Sequence, residues 1–170
     1  MRRSGHIGGA LVFSTAVSVQ LGLPQIYALL LCILSASVAM IPDEDIRLHS
    51  HRGFTHSVAF LILVSVSSGM ASCALWAVLP QQLGLTEMPD FLGGITYPQV
   101  FLAGSIPVAL GIGSHIFFDL MTSGGVALMW PRGKKYSMGF FSASNPLANY
   151  GLAALGFFLF AFFILGAPRV

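Results

Sequence analysis

Five histidines and a few carboxylates are the residues of this chain whose types could bind a metal ion. His115 and Asp119 are four residues apart, so on a helix they lie one turn from each other and can present an imidazole and a carboxylate to one cation. A hydrogen bond along the helix surface is the alternative interpretation of this spacing. Gly111 continues the same ridge without a side chain, so a neighbouring helix could come close there and bring further ligands.

Two other segments carry donors. Asp43 and Asp45 belong to PDED, and after Pro42 we expect an extended turn, which would place both aspartates on one side of the chain. A solvated acidic loop is the alternative. His51 and His56 lie in HRGFTHS, where their spacing does not put both on one helical face, although a loop that enters a helix could turn both inward.

These segments and the start of the chain together supply more donors than one metal ion needs. The candidate ligands are His6, Asp43, Asp45, His51, His56, His115 and Asp119. A tetrahedral zinc ion takes four ligands, so one or two divalent ions are conceivable, with a carboxylate bridging a pair about 3.5–4 Å apart. Mixed nitrogen and oxygen donors suit Zn, Mn, Fe or Ni, and zinc is our first expectation.

Long apolar runs predict the elements that must position these donors. Of the 170 residues, 55% are apolar and 8% are charged, against roughly 25% charged in a soluble domain. We therefore expect an all-α integral membrane bundle that forms a single domain over residues 1–170. The predicted transmembrane helices lie at about 7–23, 24–41, 57–79, 98–120 and 147–167. The first two are short, and a re-entrant pair that does not fully cross is the alternative there.

The lysines and arginines predict which side of the membrane the donors face. Five crossings with a cytoplasmic N-terminus leave Arg169 outside, so the positive-inside rule selects this orientation. The basic residues then placed inside are Arg2, Arg3, Arg47, Arg52, Arg132, Lys134 and Lys135. The same topology brings all five histidines and four of the six acidic residues to the inner face. We expect a metal site at the cytoplasmic boundary of a multi-pass inner (plasma) membrane protein.

Charge and cysteine content argue against two other classes of protein. The net charge is only +2, and the positive residues are scattered among the loops, so nucleic-acid binding is not expected. Cys32 and Cys73 fall inside predicted helices without the CxxC spacing of a redox pair or a structural zinc site. Both are expected to be small core residues.

The motifs occur in a recognisable order: GH near the start, then PDED, HRGFTHS, SHIFFDLMTSGG and ALMWP. This succession, over residues 5–131, resembles the YdjM-type family of membrane-bound metal-dependent hydrolases. The resemblance implies a helical inner-membrane protein with a His/Asp metal site and hydrolase activity. The family pattern falls on His6, Asp43, Asp45, His51, Arg52, Thr55, His56, His115, Asp119, Thr122 and Gly125. Ile46 stands where the family pattern often has a histidine.

These observations favour hydrolysis of a phosphoester or lipid-like ester by metal-activated water at the cytoplasmic membrane surface, with membrane lipid as the expected partner. Candidate catalytic residues are Asp45, Glu44 and Arg52, and an unligated histidine could also act as the base. Candidate substrate ligands are Arg52, Thr55, Thr122, Arg132, Lys134 and Lys135.

Two other functions remain open. A metal-binding transport or sensing protein is the first alternative, although a transporter would place ionisable residues in the middle of its spans and these spans have none. A haem-anchoring protein is the second, because histidines in a helical bundle can ligate haem iron.

Overall fold

The computed structural model describes residues 1–48, 53–82 and 94–166, and within these ranges the chain forms five long helices and no strand. They are α1 (Arg3–Gln20), α2 (Gln25–Val38), α3 (Val58–Gln82), α4 (Tyr97–Leu120) and α5 (Pro146–Leu159), the last of which continues as a π-helix over Phe160–Leu165. Two 3₁₀ helices, η1 (Ile41–Leu48) and η2 (Phe54–His56), lie between α2 and α3. The predicted all-α class is confirmed.

Four of these helices are long and apolar enough to cross a membrane, with mean hydropathies between 1.7 and 2.1. Their spans are Gln25–Glu44, Val58–Leu79, Tyr97–Leu120 and Pro146–Leu165. The predicted span 7–23 is not among them, because α1, which covers most of it, is too rich in glycine, serine and threonine to be a candidate span. It packs against α2, α4 and α5, and a helix surrounded by protein does not need an apolar surface on every side.

The connection between α2 and α3 corrects one prediction. Pro42 and Asp43 lie in η1, so the extended turn that we expected after Pro42 is wrong, and the backbone continues as a tight helix. Ser57 caps α3, because its hydroxyl accepts a hydrogen bond from the Phe60 N–H at 3.1 Å. The described parts of the connection, η1 and η2, contact each other, and they also contact α4 and α3 respectively.

Close helix contacts set the core. A Cβ on Gly111 of α4 would lie 2.3 Å from the Ser35 carbonyl oxygen of α2, so these backbones touch where the sequence predicted a close approach. A Cβ on Gly8 of α1 would lie 2.5 Å from the Ala153 Cα of α5. Small residues let helices approach in this way in lipid, where no hydrophobic force drives them together. Helix α1 is held between α5 and α4 as a result.

The segment after α4 folds back onto the end of that helix. The Met138 N–H donates to the Leu120 carbonyl at 2.8 Å, and isolated bridges pair Thr122 with Phe141 and Val126 with Tyr136. We call residues 121–145 the α4–α5 hairpin. Gly125 has a φ of +60°, and a Cβ there would lie 2.4 Å from the Tyr136 carbonyl oxygen, so the hairpin requires glycine at this position.

Candidate metal centre

Four side chains from different parts of the chain meet at the C-terminal end of α4. Asp43, His56, His115 and Asp119 each offer one donor atom, and these atoms all lie within 4.8 Å of one another. Both histidines are fully buried, Asp119 is 1% exposed and Asp43 is 18% exposed. Buried carboxylates are costly unless they are paired or bind a metal.

The spacing of the donors matches a tetrahedral ion. With ligand distances of about 2.0–2.2 Å, neighbouring ligands of a tetrahedral site lie about 3.3–3.6 Å apart. The His56 Nε2 is 3.2 Å from the His115 Nε2, 3.5 Å from the Asp43 Oδ1 and 3.6 Å from the Asp119 Oδ2. The His115 Nε2 is 3.4 Å from the same Asp43 oxygen and 3.9 Å from the same Asp119 oxygen. These residues fit a divalent ion.

Hydrogen bonds on the far side of each ring orient both imidazoles. The His115 Nδ1 lies 2.7 Å from the Ala39 carbonyl oxygen, which can only accept, so Nδ1 carries the proton and the lone pair of a neutral ring is on Nε2. The His56 Nδ1 lies 3.1 Å from the Thr55 hydroxyl. Metal-ligating histidines are commonly held by such contacts. Two imidazole nitrogens at 3.2 Å need a cation or a shared proton between them, and the two carboxylates favour the cation.

His6 approaches the second oxygen of each of the two carboxylates. Its ring stacks on His115 with centroids 3.6 Å apart and an interplanar angle of 8°. Its Nε2 is 3.5 Å from the Asp119 Oδ1 and 3.9 Å from the Asp43 Oδ2. The ring is fully buried, and neither of its nitrogens has a hydrogen-bond partner in the described part of the chain. The N-terminal ammonium of Met1 pairs with the same Asp119 oxygen.

The model of the YdjM inner membrane protein family matches residues 1–168. This chain belongs to that family. No curated protein and no solved structure matches the chain. The motifs place the resemblance at residues 5–131, but the family match also includes α5, so that boundary is wrong. The family name describes an inner membrane protein, in agreement with the expected location.

Helix α5 belongs with the family pattern for a physical reason that the motifs do not show. Asn149 of α5 is fully buried and accepts a hydrogen bond from the Arg2 N–H at 2.7 Å, while its amide group donates to the carbonyls of Ala143 and Asn145. It therefore holds the start of α1, and with it His6, against α5. The sequence prediction missed Asn149, although a polar residue one turn inside an otherwise apolar helix is a signal that could have identified it.

The other predicted site residues of this YdjM family member are placed as follows. Glu44 is exposed beside Asp43, and the side chain of Asp45 lies outside the described part of the structure, as do His51 and Arg52 entirely. Thr55 contacts His56.

The remaining candidate substrate ligands lie on the α4–α5 hairpin. Thr122 is buried and its hydroxyl donates to the Asp119 carbonyl at 2.8 Å, which gives it a role in holding the end of α4. Arg132, Lys134 and Lys135 are exposed, and within the described ranges no ion pair joins them to the metal centre.

Proposed function

We propose that this protein is a membrane-bound metal-dependent hydrolase that acts on a phosphoester or lipid-like ester at the cytoplasmic membrane surface. The observation that carries the proposal is the group of two imidazoles and two carboxylates at tetrahedral spacing, at one end of a bundle of apolar helices. Such a group combines ligands for a hydrolytic metal ion with a location at the height of lipid headgroups.

Asp43, His56, His115 and Asp119 would hold the ion. A bound divalent ion supplies Lewis acidity, which acidifies a water molecule and polarises the oxygen of an ester or phosphoryl group. The nitrogen and oxygen donors suit zinc first, and manganese, iron or nickel next. Both histidines lie 3.4–3.5 Å from the same Asp43 oxygen, a carboxylate arrangement that haem iron does not need.

The chain itself would bind and orient the substrate. Asp43 is the most exposed of the four donors, so it marks the side from which a scissile group can approach. Glu44 is exposed next to it and is, with Asp45, a candidate to take the proton from the attacking water. Arg52 and the cations of the α4–α5 hairpin, Arg132, Lys134 and Lys135, would hold a lipid phosphate, since anionic headgroups attract basic residues near the membrane. This role requires the predicted cytoplasmic N-terminus.

One observation favours a second candidate function. Three of the four donors are at most 1% exposed, and so close an enclosure also suits a protein that binds a metal ion for transport or sensing without chemistry. The site lies at the end of α4 and not at the middle of a span, where transporters place their ion sites, so the hydrolase remains our first proposal.

Turnover on defined lipids separates the two functions. Protein reconstituted in nanodiscs is incubated with phosphatidic acid, phosphatidylglycerol and a soluble phosphomonoester, with and without chelator, as wild type, His56→Ala and Ser114→Ala. Ser114 is buried in α4, and its hydroxyl donates to the Gly111 carbonyl of the same helix, with no other partner among the described residues, so it serves as the control. We expect turnover that the chelator and His56→Ala abolish and Ser114→Ala retains. Metal bound without turnover on any substrate would favour transport or sensing.

A further inference from the structure

We infer that the centre has a second ion position, formed by the Nε2 of His6 and by the carboxylate oxygens of Asp43 and Asp119 that face away from His56. The inference rests on the metal centre of the proposed function and extends it, because His6 is not one of the four residues grouped there. Asp43 and Asp119 would then be bridging ligands, each with one oxygen on each ion.

The two carboxylates already divide their oxygens in this way. The Asp43 Oδ1 lies 3.4 Å from the His115 Nε2, while its Oδ2 lies 3.9 Å from the His6 Nε2. The Asp119 Oδ2 lies 3.6 Å from the His56 Nε2, while its Oδ1 lies 3.5 Å from the His6 Nε2. The distances on the His6 side are close to the separation of about 3.3–3.6 Å between neighbouring ligands of a tetrahedral ion. Carboxylates bridge two ions about 3.5–4 Å apart in hydrolytic sites.

His6 is the residue that requires a partner. Its ring is fully buried and both nitrogens lack a hydrogen bond within the described residues, and an unsatisfied polar group in the interior is unfavourable. Its parallel stack on His115 keeps the ring facing the same carboxylates. An ion on the His6 side would accept the lone pair of the His6 Nε2. It would also balance the negative charge on the Asp43 Oδ2 and the Asp119 Oδ1.

The N-terminal ammonium of Met1 pairs with the Asp119 Oδ1, on the His6 side of the carboxylates. This contact shows that the Asp119 Oδ1 attracts positive charge. The position between His56 and His115 has four donors and the His6 position has three, so the His6 position should bind its ion more weakly. The two positions should then fill in sequence as metal is added.

The experiment is metal titration of the full chain in detergent, followed by electron paramagnetic resonance of the manganese form. Wild type should bind two ions per chain, the second more weakly, and show a spin-coupled manganese spectrum. His6→Ala should bind one ion and show an uncoupled spectrum, whereas Thr15→Val, another buried substitution in α1, should keep both. If His6→Ala does not fold, His6→Asn takes its place. The wild-type spectrum alone still shows whether two coupled ions are bound.

One ion per chain in the wild type, with an uncoupled spectrum, would overturn the inference. Turnover measured on the same samples keeps this outcome separate from the proposed function. One ion with chelator-sensitive turnover would refute the second position and leave the hydrolase standing. Two coupled ions without turnover on any lipid would support the second position and count against the hydrolase.

Discussion

The four donors of the metal centre come from two kinds of structure. His115 and Asp119 lie one turn apart on α4, a regular helix of 24 residues, and their relative position follows from helix geometry. Asp43 and His56 lie on η1 and η2, which are 3₁₀ helices of eight and three residues. Short 3₁₀ helices have poorer hydrogen bonds and little stability of their own, so this second pair depends on contacts with other elements.

Two of these contacts hold the histidines of the centre. The Ala39 carbonyl, four residues before Asp43, accepts the His115 Nδ1 proton, and Thr55 holds the ring of His56. Helix α4 therefore acts as the rigid part of the centre. The positions of Asp43 and His56 in the connection between α2 and α3 depend on contacts with other elements. Loss of a ligand on α4 should have the largest effect on metal binding, and substitution of a residue in the connection that only supports a ligand should have a smaller one.

The largest effect is expected for His115→Ala. The substitution removes one of four ligands, the stacking partner of His6 and the donor to the Ala39 carbonyl. Metal affinity should fall by more than the factor of about 10–100 that is typical when an outer-shell partner is lost. Competition between the purified protein and a chromophoric chelator for Zn²⁺ measures the change. Ser114→Ala, at the neighbouring buried position, should bind as wild type does, and equal affinities for all three proteins would remove His115 from the ligand set.

A smaller effect is expected where the connection meets the rigid helix. Gly111→Ala places a Cβ 2.3 Å from the Ser35 carbonyl oxygen, so α2 must move away from α4 and carry the Ala39 carbonyl and Asp43 with it. Overpacking of this kind costs about 1–3 kcal/mol of stability. We expect a lower midpoint of thermal unfolding in detergent and weaker metal binding.

Gly113 offers the matched control on the same helix. A Cβ there would meet only the Leu61 side chain, at 4.0 Å, so Gly113→Ala fits without movement. Alanine is favoured over glycine inside a helix by up to about 1 kcal/mol. Gly113→Ala should therefore leave metal binding unchanged and should not lower the unfolding midpoint. Similar losses in both variants would show that the contact between α2 and α4 does not set the position of Asp43.

The difference between the regular helices and the connection also explains which parts of the fold and the site could be predicted from the sequence. The bounds of α3 and α4 agree with the predicted spans 57–79 and 98–120 to within three residues, because long apolar runs and capping residues such as Ser57 are local signals. The four-residue spacing between His115 and Asp119 is also a local signal. Both kinds of signal could be read without knowledge of tertiary contacts.

The rest depended on contacts between distant parts of the chain. The form of η1 was predicted wrongly, because the approach of α2 to α4 at Gly111 sets how the chain leaves α2. The sequence suggested that His6 belongs with the other donors, but not that it approaches a different oxygen of Asp119 from the one that His56 approaches. The part played by Asn149 follows from its hydrogen bond to Arg2, which is 147 residues away in the chain.

The smallest effect is expected in the connection itself, for Thr55→Val. The substitution keeps the shape of the side chain but removes the hydroxyl that lies 3.1 Å from the His56 Nδ1. The packing around the His56 ring is then retained, but the contact that orients the ring and affects its basicity is lost. Metal affinity should fall about 10-fold, the lower end of the range for outer-shell partners. Thr55→Ser retains the hydroxyl and should restore binding in the same chelator competition. If Thr55→Val weakened binding as much as His115→Ala, the connection would be as important as α4, and the distinction between the rigid helix and the connection would fail.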